Sequence, residues 1–281
     1  MNNIQSILNM GSSFLKENHI NSYQIDSELL LSKVLNKNRE YMFLNHTETL
    51  NNELLKKFKV LLNRRKKKEP LAYILNHKEF WKNSFYIDKN VLIPRPDTEI
   101  LIEEILKLYH KDRNLSVLDI GTGSGCIIIS LLKDRLRFNG TAIDISKKAI
   151  NIAKYNAKMH QLSHRIKFYK TSVDNFFKGK YDLIVSNPPY INSLSLKYLE
   201  KDILGYEPIQ ALEGGLDGFN VFNKIIKMSS ILLKKGGKLV LEIGFDQKIE
   251  MLRILKKKNF FLNKTVQDYS GNDRCIICTK L

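Results

Sequence analysis

Cysteine is scarce in this chain. Cys126, Cys275 and Cys278 are the only three in 281 residues, too few for a disulfide framework, which points to a reduced protein. Cys275-Ile-Ile-Cys278 has a redox-type spacing, but it falls in an expected terminal strand, where residues three apart point to opposite faces. No redox or metal role is expected for it. No stretch reaches the ~18 consecutive apolar residues of a membrane span. Met1 to Met10 lack the basic and apolar segments of a secretory signal, so a cytoplasmic location is expected. Arginine is sparse as well, 10 residues against 36 lysines, within a net charge of +17. That charge is spread: residues 1–92 carry a net +6 and residues 93–281 a net +11, nearly the same density. A phosphate-binding groove would gather charge and favour the planar arginine fork, so direct nucleic-acid binding is not expected. The runs Arg64-Arg65-Lys66-Lys67-Lys68 and Lys256-Lys257-Lys258 read most simply as solvated helix ends. There is no internal repeat and no low-complexity linker.

What is present is a change of period along the chain. Up to about residue 75 the apolar residues keep helical spacing: Ile4, Ile7, Leu8, Phe14 and Leu15; Ile25, Leu29, Leu30 and Val34; Leu54, Leu55, Phe58, Leu61 and Leu62. A helical domain over 1–77 is expected, then a β-hairpin linker over 78–92 turning at Lys82-Asn83-Ser84. Pro94 and Pro96 stiffen the entry to a helix from Thr98 to Tyr109. From residue 93 to the C-terminus strands and helices alternate, with strands near 116–120, 140–144, 165–170, 181–185 and 236–242 and a final pair near 261–267 and 273–280. The pattern predicts an α/β fold: a doubly wound, mostly parallel seven-stranded sheet ending in an antiparallel hairpin.

Two strand tips carry chemistry. The first strand of this sheet runs through Asp119 into Gly121-Thr122-Gly123-Ser124-Gly125. Glycines there allow positive φ and let a ligand approach the backbone. A dinucleotide fingerprint needs Gly or Ala three residues after Gly123, where this chain has Cys126, and no Gly-Lys-Ser/Thr follows. A ligand without pyrophosphate is therefore expected. The next strand ends at Asp144, a carboxylate able to accept from ribose hydroxyls, beside Ile145, an apolar side for a purine; a helix-capping role for Asp144 is the alternative. The second tip is Asn187-Pro188-Pro189-Tyr190, following the apolar run Tyr181 to Ser186. Two prolines end the ladder, since neither donates an N–H. A stiff segment with a side-chain amide, free carbonyls and an aromatic ring results. It reads either as a turn or as a holder for a planar N–H₂ group.

With the glycine turn and Asn187-Pro188-Pro189-Tyr190 together, the chain resembles the Rossmann-like S-adenosylmethionine-dependent methyltransferases, the tetrapeptide being similar to that of amide and amino N-methyltransferases. Glu79-Phe80-Trp81, Ile93 to Glu99 (Ile-Pro-Arg-Pro-Asp-Thr-Glu), Tyr206-Glu207-Pro208, Ala211-Leu212 and Asp217-Gly218 extend the resemblance to the release factor glutamine N5-methyltransferase family. The resemblance implies S-adenosylmethionine as cofactor, with Asp119, Gly121, Thr122, Gly123, Ser124, Gly125 and Asp144 around it and Asn187 in reach. It also implies a class 1 peptide chain release factor as partner, the glutamine of its Gly-Gly-Gln loop being received by Asn187, Pro188, Pro189 and Tyr190, with no membrane partner. The adenine contact departs from the family's acidic-aromatic pattern; Val173, with Ser172 beside it, is the nearest match within Lys170 to Phe176. Arg95, Asp97 and Glu99 read either as part of the pocket or as a salt-bridged helix start with Asp97 capping. Two other readings share the chemistry: a glutamine methyltransferase acting on a ribosomal protein, and a DNA adenine N6-methyltransferase, which would have to flip its base.

Overall fold

A computed structural model of the chain describes residues 3–281. The chain divides into two compact units. The first runs to His77 and takes in Glu200–Tyr206. It holds α1 (Ile4–Glu17), α2 (Tyr23–Leu35), α3 (Arg39–Leu44), α4 (Asn52–Lys66) and α5 (Leu71–Leu75). Asparagine starts three of these helices: the side chains of Asn3, Asn38 and Asn51 accept from the N–H groups of Ser6, Tyr41 and Leu54, each satisfying one otherwise orphaned donor. Ile4, Ile7, Leu15, Leu30, Leu31, Phe58 and Leu62 form the core.

The buried face of α2 differs from the helical spacing read in the sequence. Ile25 is exposed, while Asp26 and Ser27 are buried. The cause lies in α1 and α4. Gly11 lets the helices close so far that a Cβ there would lie 2.5 Å from Ser27 Oγ and 2.7 Å from Phe58. Ser27 Oγ donates to Leu8 O, and Asp26 accepts from Arg65 Nε at 2.7 Å. Arg64 and Arg65 are accordingly not a solvated helix end. Arg65 is 12% exposed and also faces Asp202 at 3.6 Å, and Arg64 grips Glu69 through Nε and Nη2.

The second unit comprises Lys78–Leu199 and Glu207–Leu281. It opens with the hairpin β1 (Lys78–Phe80) and β2 (Asn83–Phe85). Phe80 pairs with Asn83, so the turn is Trp81-Lys82, earlier than the sequence reading had it. Tertiary bonds hold Trp81 there at φ 56°: its N–H donates to Glu99 Oε1 and its indole N–H to Asp134 Oδ2, both at 2.7 Å. A 3-10 turn, Pro96–Thr98, then leads into α6 (Glu99–Leu108).

Next come β3 (Leu115–Ile120), α7 (Cys126–Asp134), β4 (Phe138–Asp144), α8 (Lys147–Met159), β5 (Ile166–Lys170), β6 (Tyr181–Ser186) and the short β7 (Ile191–Asn192). After α9 (Lys201–Tyr206), which belongs to the helical unit, follow β8 (Glu213–Gly215), α10 (Asn220–Leu232), β9 (Leu233–Glu242), α11 (Lys248–Lys257), β10 (Phe260–Gln267) and β11 (Asp273–Lys280). The main sheet has seven strands in the order β10-β11-β9-β6-β3-β4-β5. Its pairs are parallel from β9 to β5, and β11 pairs antiparallel with both β9 and β10. This is the expected mostly parallel doubly wound sheet with a terminal antiparallel hairpin.

Buried strands of this kind read as apolar runs because both faces are covered. Leu118, Ile120, Ile184, Leu239, Leu241 and Ile276 pack with Phe222, Ile225, Met251 and Leu255 of α10 and α11. Alternate residues of the same strands turn the other way, toward α6, α7 and α8, which pack against the sheet.

Candidate functional site

Parallel register brings three strand ends to one level. Ile120 lies opposite both Ile143 and Ser186, so Gly121, Asp144 and Asn187 leave the sheet side by side. Successive strands are added on opposite sides of β3, β4 on one and β6 on the other. Such a reversal of strand order opens a crevice at the carboxyl ends of a doubly wound sheet. Ser186 Oγ, fully buried, donates to Ile120 O at 2.7 Å and staples the two tips together.

The glycine turn is held largely by the backbone. Gly121, Gly123 and Gly125 have φ of +71°, +55° and +82°, the left-handed region that costs a β-carbon-bearing residue ~1–2 kcal/mol. The N–H groups of Gly121 and Thr122 both donate to Ile143 O, and Gly123 N–H donates to Asp144 Oδ2 at 3.0 Å. Asp144 Oδ1 accepts from Ser146 N–H at 2.8 Å. The cap of α8 is Ser146, whose Oγ accepts from Ala149 N–H, so the capping alternative for Asp144 is corrected: its carboxylate holds the turn, and each oxygen keeps a second lone pair. Ser124 and Thr122 are buried, and Ile145 is exposed beside Asp144. A Cβ placed on Gly121 would meet nothing within 4 Å, so the glycine leaves open space.

The electrostatics of this tip favour a cation. Asp119 is wholly buried; its Oδ2 accepts from Thr122 Oγ1 at 2.7 Å, and its Oδ1 has no hydrogen-bond partner. Burial, with the Asp144 charge adding to it, pushes the Asp119 carboxyl up to about 7 against the pull of Thr122 and of the Ile128 backbone. Burial likewise raises Asp144, opposed by the N–H groups of Ser146, Gly123 and Ile145. Two carboxylates made costly in this way are relieved by positive charge on a ligand.

The second tip is held by side chains from distant parts of the unit. Asn187 Nδ2 donates to Thr98 Oγ1 at 3.0 Å, and Thr98 Oγ1 donates to Glu242 Oε2 at 2.7 Å. Pro188 is buried and Pro189 partly so, while Tyr190 packs against the α10–α11 side of the core. Burial pushes the Tyr190 phenol up to about 12, so it stays protonated. Gln247 Nε2 donates to Tyr190 O at 3.1 Å and Gly218 O at 3.3 Å, and its Oε1 accepts from Gly244 N–H. Gly218, at φ +78°, could not carry a Cβ, which would lie 2.6 Å from Tyr190 O; at Gly214 it would lie 2.9 Å from Pro189 O.

The remaining motifs are joined to one another. Arg95 Nη2 donates to Glu207 Oε1 at 2.6 Å, and Ile93 N–H donates to Glu207 Oε2. Asp97 faces Arg274 at 3.6 Å and makes no capping bond to the helix start, so the capping alternative is corrected. Glu99 bonds Trp81, as above. Val173 and Ser172 stand at the end of β5, next to Asp144 through Thr171 N–H, which donates to Asp144 O at 2.9 Å. Val173 is buried in the core and begins a 3-10 turn, Val173–Asn175.

Sequence reasoning missed Glu242, Gln247 and the buried Asn156, whose Nδ2 donates to Ser124 O at 2.8 Å and whose amide also exchanges bonds with Tyr86. Each had a signal. Glu242 is an acid closing the apolar run Leu239-Val240-Leu241, and Asn156 is an amide on the apolar face of α8.

Comparison with known proteins agrees with this architecture. Residues 6–75 match the PrmC N-terminal domain and residues 96–205 the methyltransferase small domain. The chain is 37% identical over 280 residues to a release factor glutamine methyltransferase of Clostridium acetobutylicum, covering 99% of this chain and 98% of that protein. It is 39% identical to a protein of the same name in Clostridium botulinum, over 99% of each. In fold it is similar to a ribosomal protein L11 methylase from Lactobacillus delbrueckii subsp. bulgaricus, with a TM-score of 0.52 at 20% identity over 69% of this chain and 83% of that one. That likeness speaks for the Rossmann-like methyltransferase fold alone. End-to-end identity of this order, with both family domains in sequence, shows that the chain belongs to the release factor glutamine methyltransferase family.

Proposed function

We infer that the protein is an S-adenosylmethionine-dependent methyltransferase that methylates the side-chain nitrogen (N5) of the glutamine in the Gly-Gly-Gln motif of class 1 release factors. The observation that carries this reading is the shared level of Ile120 and Ser186, which sets the cation-favouring glycine turn beside the Asn187 tip. When bound, S-adenosylmethionine supplies an electrophilic methyl group on a sulfonium, so methylation of an amide nitrogen releases one proton. The residues suit that group. It carries an ammonium and a sulfonium, and the turn offers the buried carboxyl of Asp119 behind it, Asp144 at the tip and open space at Gly121.

A carboxamide nitrogen is a weak nucleophile because its lone pair is shared with the carbonyl. The proposed task of the second tip is therefore orientation. Asn187 gives its Nδ2 to Thr98, which leaves Oδ1 to accept one N–H of the substrate amide. The Pro188 carbonyl, outside the ladder, accepts the other. Two fixed acceptors hold the nitrogen in line and favour the positive charge that develops on it. Tyr190 supplies an apolar, neutral surface for the amide plane, and the proton leaves after alkylation. The helical unit, which presents Phe43 and Leu44 to solvent, is proposed to choose the protein partner. Among the described residues no helix is long and apolar enough to cross a membrane, and action in the cytoplasm is part of the same proposal.

The test is transfer of labelled methyl to release factor, to release factor with the Gly-Gly-Gln glutamine replaced by alanine, to ribosomal protein and to DNA. Label on wild-type release factor alone is expected. Label on DNA, or equal label on the alanine variant, overturns the reading.

A further inference from the structure

Asn187 can serve as an acceptor only if its amide is turned the right way, and a free amide has no such preference. The orientation is decided two bonds away. Glu242 is the last residue of β9, one beyond Leu241, which pairs with Ser186; its carboxylate therefore stands level with Asn187. Thr98, 2% exposed, lies between them. A hydroxyl has one proton. Thr98 gives it to Glu242 Oε2, so toward Asn187 its oxygen can only accept. The amide must then present Nδ2 to Thr98, and Oδ1 is left for the substrate.

We propose that Glu242, acting through Thr98, is the positioning residue that sets the amide orientation of Asn187 and so makes the acceptor tip competent for methyl transfer. This rests on the reading of Asn187 as acceptor given above. Glu242 acts through a relay of a carboxylate, a hydroxyl and an amide, and its carboxylate also draws the Asn187 Nδ2 side directly, which favours the same orientation. The same β9 tip continues to Gln247, which holds the Tyr190 end, so one segment after β9 supports both ends of Asn187-Pro188-Pro189-Tyr190.

The relay depends on the charge of Glu242. A protonated Glu242 can donate to Thr98, which frees the Thr98 proton to turn toward Asn187 and favours the flipped amide. The groups facing Glu242 come from every element around it. Asp97 and Thr98 lie on the 3-10 turn, Asn187 and Tyr190 on the β6 tip, Arg274 and Cys275 on β11, and Cys126 at the start of α7. Burial pushes the Glu242 carboxyl up to about 7, while Thr98, Arg274 and Asn187 pull it down and Asp97 pushes it further up. Competence is therefore lost as pH falls through neutrality.

The experiment has two arms. In the first, kcat for release factor methylation is measured across neutral pH for the wild type and for Thr98→Val, Thr98→Ser and Glu242→Gln, with cofactor affinity by calorimetry and folding by thermal melt. Thr98→Val and Glu242→Gln are expected to lose roughly 10- to 100-fold in kcat with cofactor affinity retained and without the wild-type acid limb, and Thr98→Ser to restore both rate and limb. In the second arm, the Asn187 side-chain amide resonances of the ¹⁵N-labelled protein are followed with pH, without any substrate. They are expected to titrate near neutrality in the wild type and not in Glu242→Gln. A folded Thr98→Val with wild-type kcat, or an Asn187 amide indifferent to pH in the wild type, overturns the proposal. A wild type that binds cofactor yet methylates no release factor overturns the functional reading instead, and the resonance arm then decides the relay by itself.

Discussion

The two strand tips of the site are built on different principles. The glycine turn after β3 is set mainly by backbone: three positive φ values and N–H groups given to the Ile143 carbonyl of the adjacent strand, with side chains of Asp119, Asp144 and Asn156 bonding Thr122, Gly123 and Ser124. The Asn187 tip after β6 is set by side chains and glycines remote in sequence, with Thr98 lying 89 residues before Asn187 and Gln247 lying 57 residues after Tyr190. A ligand-binding backbone can be specified locally. A side-chain amide that must face one way needs a network, because its two ends are nearly the same shape.

The largest effect that separates the tips is Asn187→Ala. It is expected to lower turnover ~10²–10³-fold, the scale for loss of one preorganised hydrogen-bonding group in a transition state, while calorimetry shows cofactor affinity close to wild type. An equal loss in both would mean that the tips are not separable. Next is Gly218→Ala. Its Cβ would meet Tyr190 O at 2.6 Å from a φ of +78°, so beyond the ~1–2 kcal/mol of backbone strain the second tip must shift. A lowered melting temperature and a fall in kcat are expected together, again with cofactor still bound. Asp144→Asn acts on the first tip and should weaken cofactor binding by about 1–3 kcal/mol while leaving turnover at saturating cofactor largely intact. Titration calorimetry that finds unchanged affinity would remove Asp144 from the ligand.

A further expected effect concerns pH. The Asp119 carboxyl is raised to about 7 in the folded protein from an ordinary value of 3.8, so the folded state binds the extra proton between those values. Its contribution is fully present below the lower value and is lost as pH rises through the upper one. The cofactor-free wild type should therefore lose melting temperature relative to Asp119→Asn as pH goes from about 4 to about 7. A difference that stays constant over that range would show that Asp119 does not titrate there.

The contrast between the tips also explains what could be read from the chain. Asp119, Gly121 to Gly125 and Asp144 stand out because glycine spacing and an acid at a strand end are local signals. Asn187 to Tyr190 stand out because prolines end a strand. Their supports stand out less: Thr98 and Gln247 are ordinary residues, and Glu242, the acid that ends β9, has no visible partner until the sheet brings all three to one edge. The helical unit gives the same lesson. Helical spacing identified α1, α2 and α4, yet it placed Ile25 on the inner face, and the basic run read Arg65 as solvated, because the close approach at Gly11 and the Asp26–Arg65 pair arise only between helices.

The order of the seven main-sheet strands, their alternation with helices and the chemical character of the two tips were legible in the chain alone, since they follow from periodicity and from the conformational limits of glycine and proline, whereas the short pair β7 and β8 was not. Three features come from tertiary contacts: Ile120 and Ser186 end level, Trp81-Lys82 is the turn of the first hairpin, and Glu242 faces Asn187 through Thr98. Register and hydrogen-bond direction belong to pairs of residues far apart in the chain, and no local preference encodes them.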